Sequence, residues 1–229
     1  MERPIRAALC GARGRMGRQI IALAEEFSGL SIVAHIDLDN HRTLRAAMEQ
    51  ADVLIDFSSP KGALAAVAAA GKARVPAVVG TTGFTPAQTK RLKSHARRIP
   101  LLLAPNCSPG MNLLFELARK AAASLPSYDA VISETHHTRK KDAPSGSAKR
   151  LAEAVREGRR GKSGVATVSL RAGDIIGDHT LLLAGPDERL ELSHQAQARS
   201  VFARGALEAA VWISRRRPGL YTMKDLLGL

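Results

Sequence analysis

The chain has 229 residues, of which 34 are lysine or arginine and 21 are aspartate or glutamate, giving a formal net charge of +13. Apolar residues at 45% and charged residues at 24% are typical of a globular protein and exclude a disordered chain. The apolar runs are too short for a membrane span or a signal peptide, and two cysteines, Cys10 and Cys107, exclude a disulfide framework, so we expect a cytoplasmic protein.

The first hundred residues alternate between two hydrophobic patterns. Short apolar runs predict strands at 5–10, 31–36, 53–57, 77–80 and 101–104. Between them, apolar residues at helical spacing predict helices at 15–26, 42–50, 62–72 and 86–98. Strands that alternate with helices form parallel crossover units, so this half of the chain predicts a Rossmann-type, doubly wound α/β sheet.

The pattern changes after residue 106. Helices are predicted at 111–124, 147–157 and 202–214, with an exposed loop at 157–164. Strands are predicted at 130–135, 165–171, 179–184 and 189–195, and the Gly185-Pro186-Asp187 turn joins the last two as a hairpin. We therefore predict a second α+β domain over 107–205, with a mixed and mostly antiparallel sheet. The first domain is predicted to span 1–106 and to be completed by 206–229.

A glycine-rich loop lies between the first predicted strand and the first predicted helix, with Gly11, Gly14 and Gly17 at three-residue spacing. Such glycines allow a tight turn and a close approach of the backbone to a pyrophosphate, which a helix N-terminus favours. Asp37 follows the second strand, where a Rossmann unit places the acid that binds the adenosine ribose. A simple turn and a capping aspartate would explain these residues one by one, but their order favours dinucleotide binding.

The residues around Asp37 bear on the choice between NADH and NADPH. Asp37 can bond both ribose hydroxyls, whereas the carboxylates of Asp37 and Asp39 repel a 2′-phosphate. We therefore predict that NADH is preferred over NADPH, a preference that the nearby His41 and Arg42 would weaken.

The densest group of reactive side chains lies in segment 134–147, where His136, His137 and Lys140 precede a Pro-Ser-Gly-Ser turn. Histidine exchanges protons near neutral pH, a lysine near other cations can serve as an acid, and the turn offers N–H groups and hydroxyls to a carboxylate. These features predict a site for an anionic substrate that accepts a proton. The alternatives are a chance surface pair of histidines, serines that only cap the helix, and a metal site, which the adjacent histidines disfavour.

Seven segments of the chain, in order, match the motifs of one known family. The segment from Glu134 matches E-x-H-H-x-x-K-x-D-A-P-S-G-T, except that Ser147 replaces the threonine. The other family motifs are G-x-x-G-R-M-G, met from Gly11, D-F-[ST]-x-P from Asp56, G-T-T-G from Gly80, N-[FY]-S-x-G-x-N from Asn106 with Cys107 in place of the aromatic residue, R-x-G-x-x-x-G-x-H from Arg171, and a C-terminal set of Arg199, Phe202, Gly205, Trp212 and Gly219 to Asp225. Over nearly its whole length the chain thus resembles the 4-hydroxy-tetrahydrodipicolinate reductase (dihydrodipicolinate reductase) family.

The resemblance implies an enzyme of lysine and diaminopimelate biosynthesis. It implies that NAD(P)H reduces 4-hydroxy-tetrahydrodipicolinate, a small dicarboxylate, to tetrahydrodipicolinate with loss of water. His136 would be the proton donor or acceptor, Lys140 would be the proton donor, and His137, Gly146 and Ser147 would hold the substrate carboxylates. The implied cofactor contacts are Gly11, Ala12, Arg13, Gly14, Arg15, Met16, Asp37, Gly80, Thr81, Thr82, Ala104, Pro105, Asn106 and Cys107. The resemblance also implies a homotetramer built through the second, substrate-binding domain; no metal and no membrane partner are expected.

Two departures from the family bear on these expectations. The chain is short, and the missing residues fall between Asp37 and Val53 and before Arg171, which affects the adenosine edge and the subunit contacts. Cys107 stands where an aromatic residue is common, which affects one cofactor contact.

Two other functions fit parts of the sequence. Another Rossmann oxidoreductase, such as an aspartate dehydrogenase, accounts for the first hundred residues but leaves segment 134–147 unexplained. The charge of +13 fits nucleic-acid binding, but aromatic residues make up only 3% of the chain and the basic residues are dispersed. We therefore expect a basic surface around a site for small anions, and no nucleic-acid partner.

Overall fold

The computed structural model describes residues 3–37, 43–161 and 164–229. In chain order its elements are β1 (Ile5–Cys10), α1 (Arg15–Ala24), β2 (Leu30–Ile36), α2 (Leu44–Gln50), β3 (Val53–Asp56), α3 (Pro60–Ala73), β4 (Ala77–Val79), α4 (Pro86–Ser94), β5 (Pro100–Leu103), α5 (Pro109–Ser124), β6 (Asp129–His136), α6 (Gly146–Gly158), β7 (Ala166–Arg171), β8 (Asp178–Ala184), β9 (Arg189–Gln195), α7 (Ser200–Ile213), β10 (Gly219–Tyr221) and α8 (Met223–Leu227). Among the residues that the structure describes, every helix is too short or too polar to serve as a membrane span.

The chain forms two compact units. The first contains the described residues up to Cys107 together with Ser200–Gly228, and the second contains Ser108–Arg199. The sequence placed these limits at 106/107 and 205/206. The difference at the second limit arises because α7 starts at Ser200 and belongs, over its whole length, to the first unit. Gly205 permits this packing, since a Cβ at that position would overlap the carbonyl oxygen of Cys107.

The first unit contains a six-stranded sheet in the order β10-β5-β4-β3-β1-β2, and all of its strand pairs are parallel. The chain passes from β1 to β2 on one side and then to β3 on the other, so the carboxyl end of β1 is a topological switch point. Helices α1 and α7 pack on one face of the sheet, and α2, α3 and α4 pack on the other. The predicted Rossmann-type sheet is confirmed.

Two elements of the first unit were not predicted. Strand β10 has three residues, paired from Gly219 opposite Pro100 to Tyr221 opposite Leu102, and its Gly-Leu-Tyr segment lacks the continuous apolar run that marks the equally short β4. Helix α8 begins where the Asp225 carboxylate accepts the N–H and the hydroxyl of Thr222, which is a signal the sequence does contain. The helix predicted at 86–98 ends as an α-helix at Ser94 and continues as a short 3-10 turn.

The second unit contains a four-stranded sheet in the order β7-β6-β8-β9. Strands β6 and β7 are parallel, whereas β6 pairs with β8 and β8 with β9 in antiparallel fashion, which confirms the mixed, mostly antiparallel sheet. Helices α5 and α6 cover one face. Along β6 the side chains buried on that face change from Ala130 and Ile132 to Glu134 and His136, so one end of an otherwise apolar core is polar. Of the loop predicted at 157–164, residues 162 and 163 lie outside the described residues.

Candidate active site

Glycines shape the loop between β1 and α1. Gly11 has a φ of +80°, and a Cβ there would overlap the carbonyl oxygen of Phe57, so only glycine fits. A Cβ on Gly17 would overlap the carbonyl oxygens of Gly11 and Ala12, so α1 packs directly against the loop. The result is a tight turn that ends in a helix N-terminus, which is the arrangement that binds a pyrophosphate.

Asp37 follows β2 directly and lies beside this loop. Its carboxylate accepts the backbone N–H of Arg13, at 3.2 Å to Oδ1 and 3.3 Å to Oδ2. The Arg13 Nε is 3.9 Å from Oδ2. The structure therefore brings together the glycine loop and the acid, as the sequence predicted. The prediction of NADH preference also used residues 38–42, which lie outside the described residues.

The loop after β4 is tied to the end of β3 by a buried carboxylate. The Thr81 hydroxyl donates to Asp56 Oδ2 at 2.6 Å, and the Ser58 hydroxyl donates to Oδ1 at 2.6 Å. Gly80 donates its N–H to the Asp56 carbonyl oxygen at 2.8 Å. Asp56 is fully buried, so it fixes the predicted cofactor segment from Gly80 to Thr82, although the sequence analysis assigned it no role of its own.

The loop after β5 begins with Ala104, whose N–H donates to the Val79 carbonyl oxygen at 2.9 Å. Cys107 at its end is buried in the core of the first unit. Burial raises the pKa of the Cys107 thiol to about 12, so the thiol stays protonated and belongs to the core. At position 107 a ligand can therefore contact only the backbone groups.

A row of polar side chains crosses the sheet of the second unit. The strand registers place Ser169 of β7 beside Glu134 of β6, Glu134 opposite His179 of β8, and His179 opposite His194 of β9. Glu134 and His179 are buried. The row is invisible in the sequence because its members lie on four separate strands.

Both histidines of this row contact a serine that caps a helix. His179 Nε2 is 3.2 Å from the Oγ of Ser145, which accepts the Ala148 N–H at the start of α6. His194 Nε2 is 3.1 Å from the Oγ of Ser108, which caps α5. The polar row is thus bonded to the N-terminal turns of both helices.

One carboxylate oxygen of Glu134 is surrounded by donors. Oε1 accepts the Ser145 N–H at 3.0 Å and the Ser169 hydroxyl at 2.7 Å, and Arg171 Nη2 lies 3.4 Å away. Burial alone would raise the pKa of Glu134, but the hydrogen bonds from Ser145 and Ser169, with a smaller contribution from His136, outweigh burial and lower that pKa. Glu134 is therefore ionised at neutral pH.

The other oxygen of Glu134 faces two histidines. Oε2 is 3.2 Å from His136 Nδ1 and 3.8 Å from His179 Nε2, and the His136 pair lies off the ideal hydrogen-bond axis. Burial lowers the pKa of His136, and Glu134 opposes that shift only in part. Burial also lowers the pKa of His179, to about 4. Both imidazoles are therefore neutral beside an ionised carboxylate.

His137 follows β6 and is also buried. Its Nε2 is 3.1 Å from Nη2 of Arg199. A guanidinium can only donate, so Nε2 accepts and a neutral His137 carries its proton on Nδ1.

Lys140 is held by a carboxylate, whereas the sequence analysis placed it among other cations. Its Nζ donates to the two Asp142 carboxylate oxygens at 2.8 and 2.9 Å. Arg171 fixes the same turn by donating to the carbonyl oxygens of Lys140 at 3.3 Å and of Asp142 at 2.6 Å. The position of Lys140 thus depends on two residues for which the sequence analysis proposed no role.

The N-terminus of α6 carries the last two predicted site residues, Gly146 and Ser147. Ser145 caps the helix. Of the two serines in this turn, Ser145 therefore has the capping role that the sequence suggested. Apart from its chain neighbours and the backbone of its own helix, no described residue has an atom within 4 Å of where a Cβ on Gly146 would stand. The first turn of α6 therefore has open space beside it, in which an anion can meet backbone N–H groups.

All five predicted catalytic and substrate-binding residues lie in the segment from β6 to α6, which Glu134 and Arg171 hold together. Within the described part of the chain, Glu134, His136 and His179 also form the one group of three histidine, cysteine or acidic side chains whose ligand atoms lie within 4.8 Å of one another. The donors on Oε1 and the neighbouring cation Arg171 favour a hydrogen-bonded network over a cation site.

Two family models match the chain. The model described as dihydrodipicolinate reductase, N-terminus, matches residues 5–107, and the model described as dihydrodipicolinate reductase, C-terminus, matches residues 110–227. Together they cover almost the whole chain.

Two relatives are both named 4-hydroxy-tetrahydrodipicolinate reductase. The one from Thiobacillus denitrificans is 39% identical over 264 residues, and the alignment covers 98% of this chain and 99% of that protein. The one from Aquifex aeolicus is 40% identical over 263 residues, with 98% and 99% covered. Because these alignments are longer than the 229 residues of the chain, this chain carries gaps relative to both relatives.

A solved structure has the same fold. It is the dipicolinate-bound dihydrodipicolinate reductase from Paenisporosarcina sp. TG-14, with a TM-score of 0.82 and 23% identity, and the match covers 97% of this chain and 98% of that one. The family models and the relatives settle the affiliation that the seven sequence motifs indicated. The chain belongs to the dihydrodipicolinate reductase family of oxidoreductases.

Proposed function

We propose that this chain reduces 4-hydroxy-tetrahydrodipicolinate to tetrahydrodipicolinate with NAD(P)H and loss of water, in lysine and diaminopimelate biosynthesis. The observation that carries the proposal is the segment from β6 to α6, where His136 and Lys140 precede a helix N-terminus that is open to an anion. The names of relatives at 39% and 40% identity support the same reaction.

In this proposal the bound cofactor supplies a hydride to ring carbon 4 of the substrate. His136 and Lys140 carry the proton that is delivered at the neighbouring carbon. His137, together with the N–H groups and hydroxyl of Gly146 and Ser147, holds the two substrate carboxylates. One hydride and one proton enter while one water leaves, so the substrate is reduced and the cofactor is oxidised.

The first unit would bind the cofactor along the carboxyl edge of its sheet. The loop from Gly11 to Met16 would donate N–H groups to the pyrophosphate, and Asp37 would accept from the ribose hydroxyls. The loops from Gly80 to Thr82 and from Ala104 to Cys107 follow neighbouring parallel strands at the same edge, where open α/β sheets bind ligands. The close packing at Gly11 and Gly17 supports this proposal, because a side chain at either position would overlap neighbouring backbone and displace the loop that is proposed to bind the pyrophosphate.

We further propose that NADH is preferred over NADPH and that no metal takes part. Support for the first point is the carboxylate of Asp37 beside the glycine loop, which would repel a 2′-phosphate. Values of kcat/KM for the two cofactors decide it, and a clear NADPH preference would refute it. If no metal takes part, the chain should stay active after dialysis against a chelator. A loss of activity on dialysis that added Zn²⁺ reverses would contradict this.

The direct test of the reaction couples the purified chain to the upstream synthase that generates the substrate. We expect NADH absorbance to fall only when both proteins are present. Pyridine-2,6-dicarboxylate, a planar mimic of the ring and both carboxylates, should inhibit competitively. A well-folded chain that consumes no NADH or NADPH would refute the proposed function.

We also propose that the chain forms a homotetramer through the second unit. Support comes from Val168 and Leu170 on β7, which are 49% and 52% exposed on the sheet face opposite α5 and α6. Leu170→Asp should reduce the mass measured by light scattering, whereas Leu117→Asp on α5, at an equally apolar exposed position, should not. A monomeric wild-type chain would refute the assembly.

We place the reaction in the cytoplasm. Cys10 and Cys107 are both free and buried, as expected for a chain kept in a reducing compartment. Cell fractionation with antibody detection tests this, and recovery in an oxidising compartment would overturn it.

A further inference from the structure

We propose that Glu134 is the positioning residue of this site, because one of its oxygens bonds the N-terminal turn of α6 and the other lies 3.2 Å from His136 Nδ1. The inference deepens the proposed function and rests on it, since it assigns a task to a residue for which neither the motifs nor the comparisons specify one. The task is to set the tautomer and orientation of the proton carrier and the position of the carboxylate-binding turn at once.

The first arm of Glu134 reaches α6. Oε1 accepts the N–H of Ser145 at 3.0 Å, and Ser145 is the residue immediately before Gly146 and Ser147. The Ser145 hydroxyl accepts the Ala148 N–H at 3.1 Å, and its carbonyl oxygen accepts the Lys149 N–H at 3.0 Å. A displacement of the Glu134 carboxylate would therefore move the whole first turn of α6.

The second arm reaches His136. Its Nδ1 is 3.2 Å from Oε2, and a carboxylate can only accept a hydrogen bond. The neutral imidazole therefore carries its proton on Nδ1, and a small rotation of the ring aligns that N–H with Oε2. This leaves the lone pair on Nε2, the nitrogen turned away from Glu134.

Gly177 keeps that outer nitrogen uncovered. A Cβ at position 177 would lie 3.0 Å from His136 Nε2, so any larger residue would crowd it. The Glu134 carboxylate on one side and a glycine on the other thus hold the imidazole with its basic nitrogen free to exchange a proton.

Glu134 also governs the charge that His136 can bear. When His136 takes up a proton, the imidazolium lies beside an ionised carboxylate that stabilises it. The charged or titratable groups that face His136 are Glu134, His179, Lys140, Arg171 and Asp142. Glu134 is the one among them whose oxygen lies next to Nδ1, so its removal should shift proton uptake most.

The test is Glu134→Gln, with Glu116→Gln as its matched control. Glutamine keeps the length of the side chain and an oxygen for the Ser145 and Ser169 donors, but it turns an NH₂ donor toward His136 Nδ1 and favours the opposite tautomer.

We expect kcat to fall by about 10²- to 10⁴-fold, as for other histidines that lose their orienting carboxylate. The KM for NADH should change less than about twofold, and the limb of the pH–kcat profile that reports protonation of His136 should move to lower pH. Glu116 is a buried glutamate on α5 that pairs with Arg119, and its variant should keep the wild-type profile.

The tautomer provides a readout that needs no turnover. In long-range ¹H–¹⁵N spectra of the wild-type chain, with His136→Gln used for assignment, we expect His136 to be protonated on Nδ1. In Glu134→Gln we expect protonation on Nε2. Because the wild-type spectrum needs no variant to fold, an Nε2–H tautomer there overturns the proposal on its own.

The remaining outcomes separate this inference from the proposed function. Wild-type chain without reductase activity would refute the function, and the tautomer would still decide the role of Glu134. Active wild type with Glu134→Gln at full kcat would overturn the positioning role alone. Parallel losses of thermal stability and kcat in Glu134→Gln and Glu116→Gln, with an unchanged pH profile, would show a merely structural role and overturn it as well.

Discussion

Three histidines of the second unit, two of them buried and His194 half-buried, show how loss of contact with water acts on single residues. Burial is the largest cause that lowers the pKa of His136, His179 and His194, and the carboxylates of Glu134 and Asp178 offset it only in part. A neutral imidazole has one donor and one acceptor. His136 and His179 are therefore neutral near pH 7 beside the ionised Glu134, and each keeps one ring nitrogen that can accept a hydrogen bond.

His179 should make the stability of the chain depend on pH. Its pKa is about 4 in the folded chain against 6.5 in an unfolded one, so the unfolded chain takes up this proton first as the pH falls. The stabilisation is fully present above pH 6.5 and should be lost as the pH falls toward 4, by up to about 3 kcal/mol from this residue. His179→Gln should flatten this part of the dependence in urea unfolding at about pH 7.5 and about pH 4.5. The loss of unfolding free energy in the variant at about pH 7.5 measures the contacts that His179 makes. A variant whose stability falls between the two pH values as much as that of the wild type would contradict the prediction.

Lys140 and Lys141 form a natural pair for a kinetic test. Lys140 donates to Asp142 and is mostly buried, whereas Lys141 is exposed. Lys140→Ala should lower kcat by about 10²-fold or more, because it removes a proton carrier, and should change the substrate KM far less. Lys141→Ala should retain wild-type kinetics in the same coupled assay. A rise in KM with unchanged kcat for Lys140→Ala would make Lys140 a binding group.

At the scale of the elements, the local hydrophobic pattern decided what the sequence could predict. Strands β1 to β9 and helices α1 to α7 each carry an apolar run or a helical period, and each was predicted close to its observed place. Strand β10 was missed because its Gly-Leu-Tyr segment follows three arginines and a proline and shows no apolar run, unlike the equally short Ala-Val-Val of β4. His179 was missed for another reason: it stands alone on β8, and only the antiparallel register brings it opposite Glu134. The cluster around Glu134 depends on pairing between strands, which a local pattern does not contain.

Gly17 offers a test of the packing between the glycine loop and α1. In an isolated helix, a change from glycine to alanine stabilises by about 1 kcal/mol. Here the added Cβ would overlap the carbonyl oxygens of Gly11 and Ala12, so Gly17→Ala should displace the loop and weaken NADH binding by about tenfold or more. Titration calorimetry measures the change. Gly164→Ala, at a position with open space, should bind NADH as the wild type does; equal affinity in both variants would contradict the role of the loop.

At the scale of the whole molecule, the net charge of +13 suits a chain whose proposed substrate and cofactor are both anions. The groups proposed to bind them account for few of the 34 basic residues. The remainder produce a positive field that attracts small anions from solution, and salt screens such a field over about 10 Å at 0.1 M.

Salt should therefore slow the association of the anionic ligands with the chain more than it slows the reaction of the bound ligands. We expect kcat/KM to fall several-fold as NaCl rises from about 20 to about 300 mM, with a smaller change in kcat. Sucrose at matched osmolality serves as the control and should have little effect. A value of kcat/KM that is constant with salt would show that the surplus charge does not steer these ligands.

The first unit is built from two separate segments of the chain, and this affects how it can fold during synthesis on the ribosome. Ser108–Arg199 are complete before α7 and β10 emerge, so the second unit is free to fold first. Until then β5 remains an edge strand, and the sheet face that Ala206, Leu207 and Ile213 cover in the finished chain is bare. A nascent chain that stalls before residue 200 thus exposes an apolar sheet surface although its second unit is complete, and it becomes a target for chaperones and for quality-control proteases.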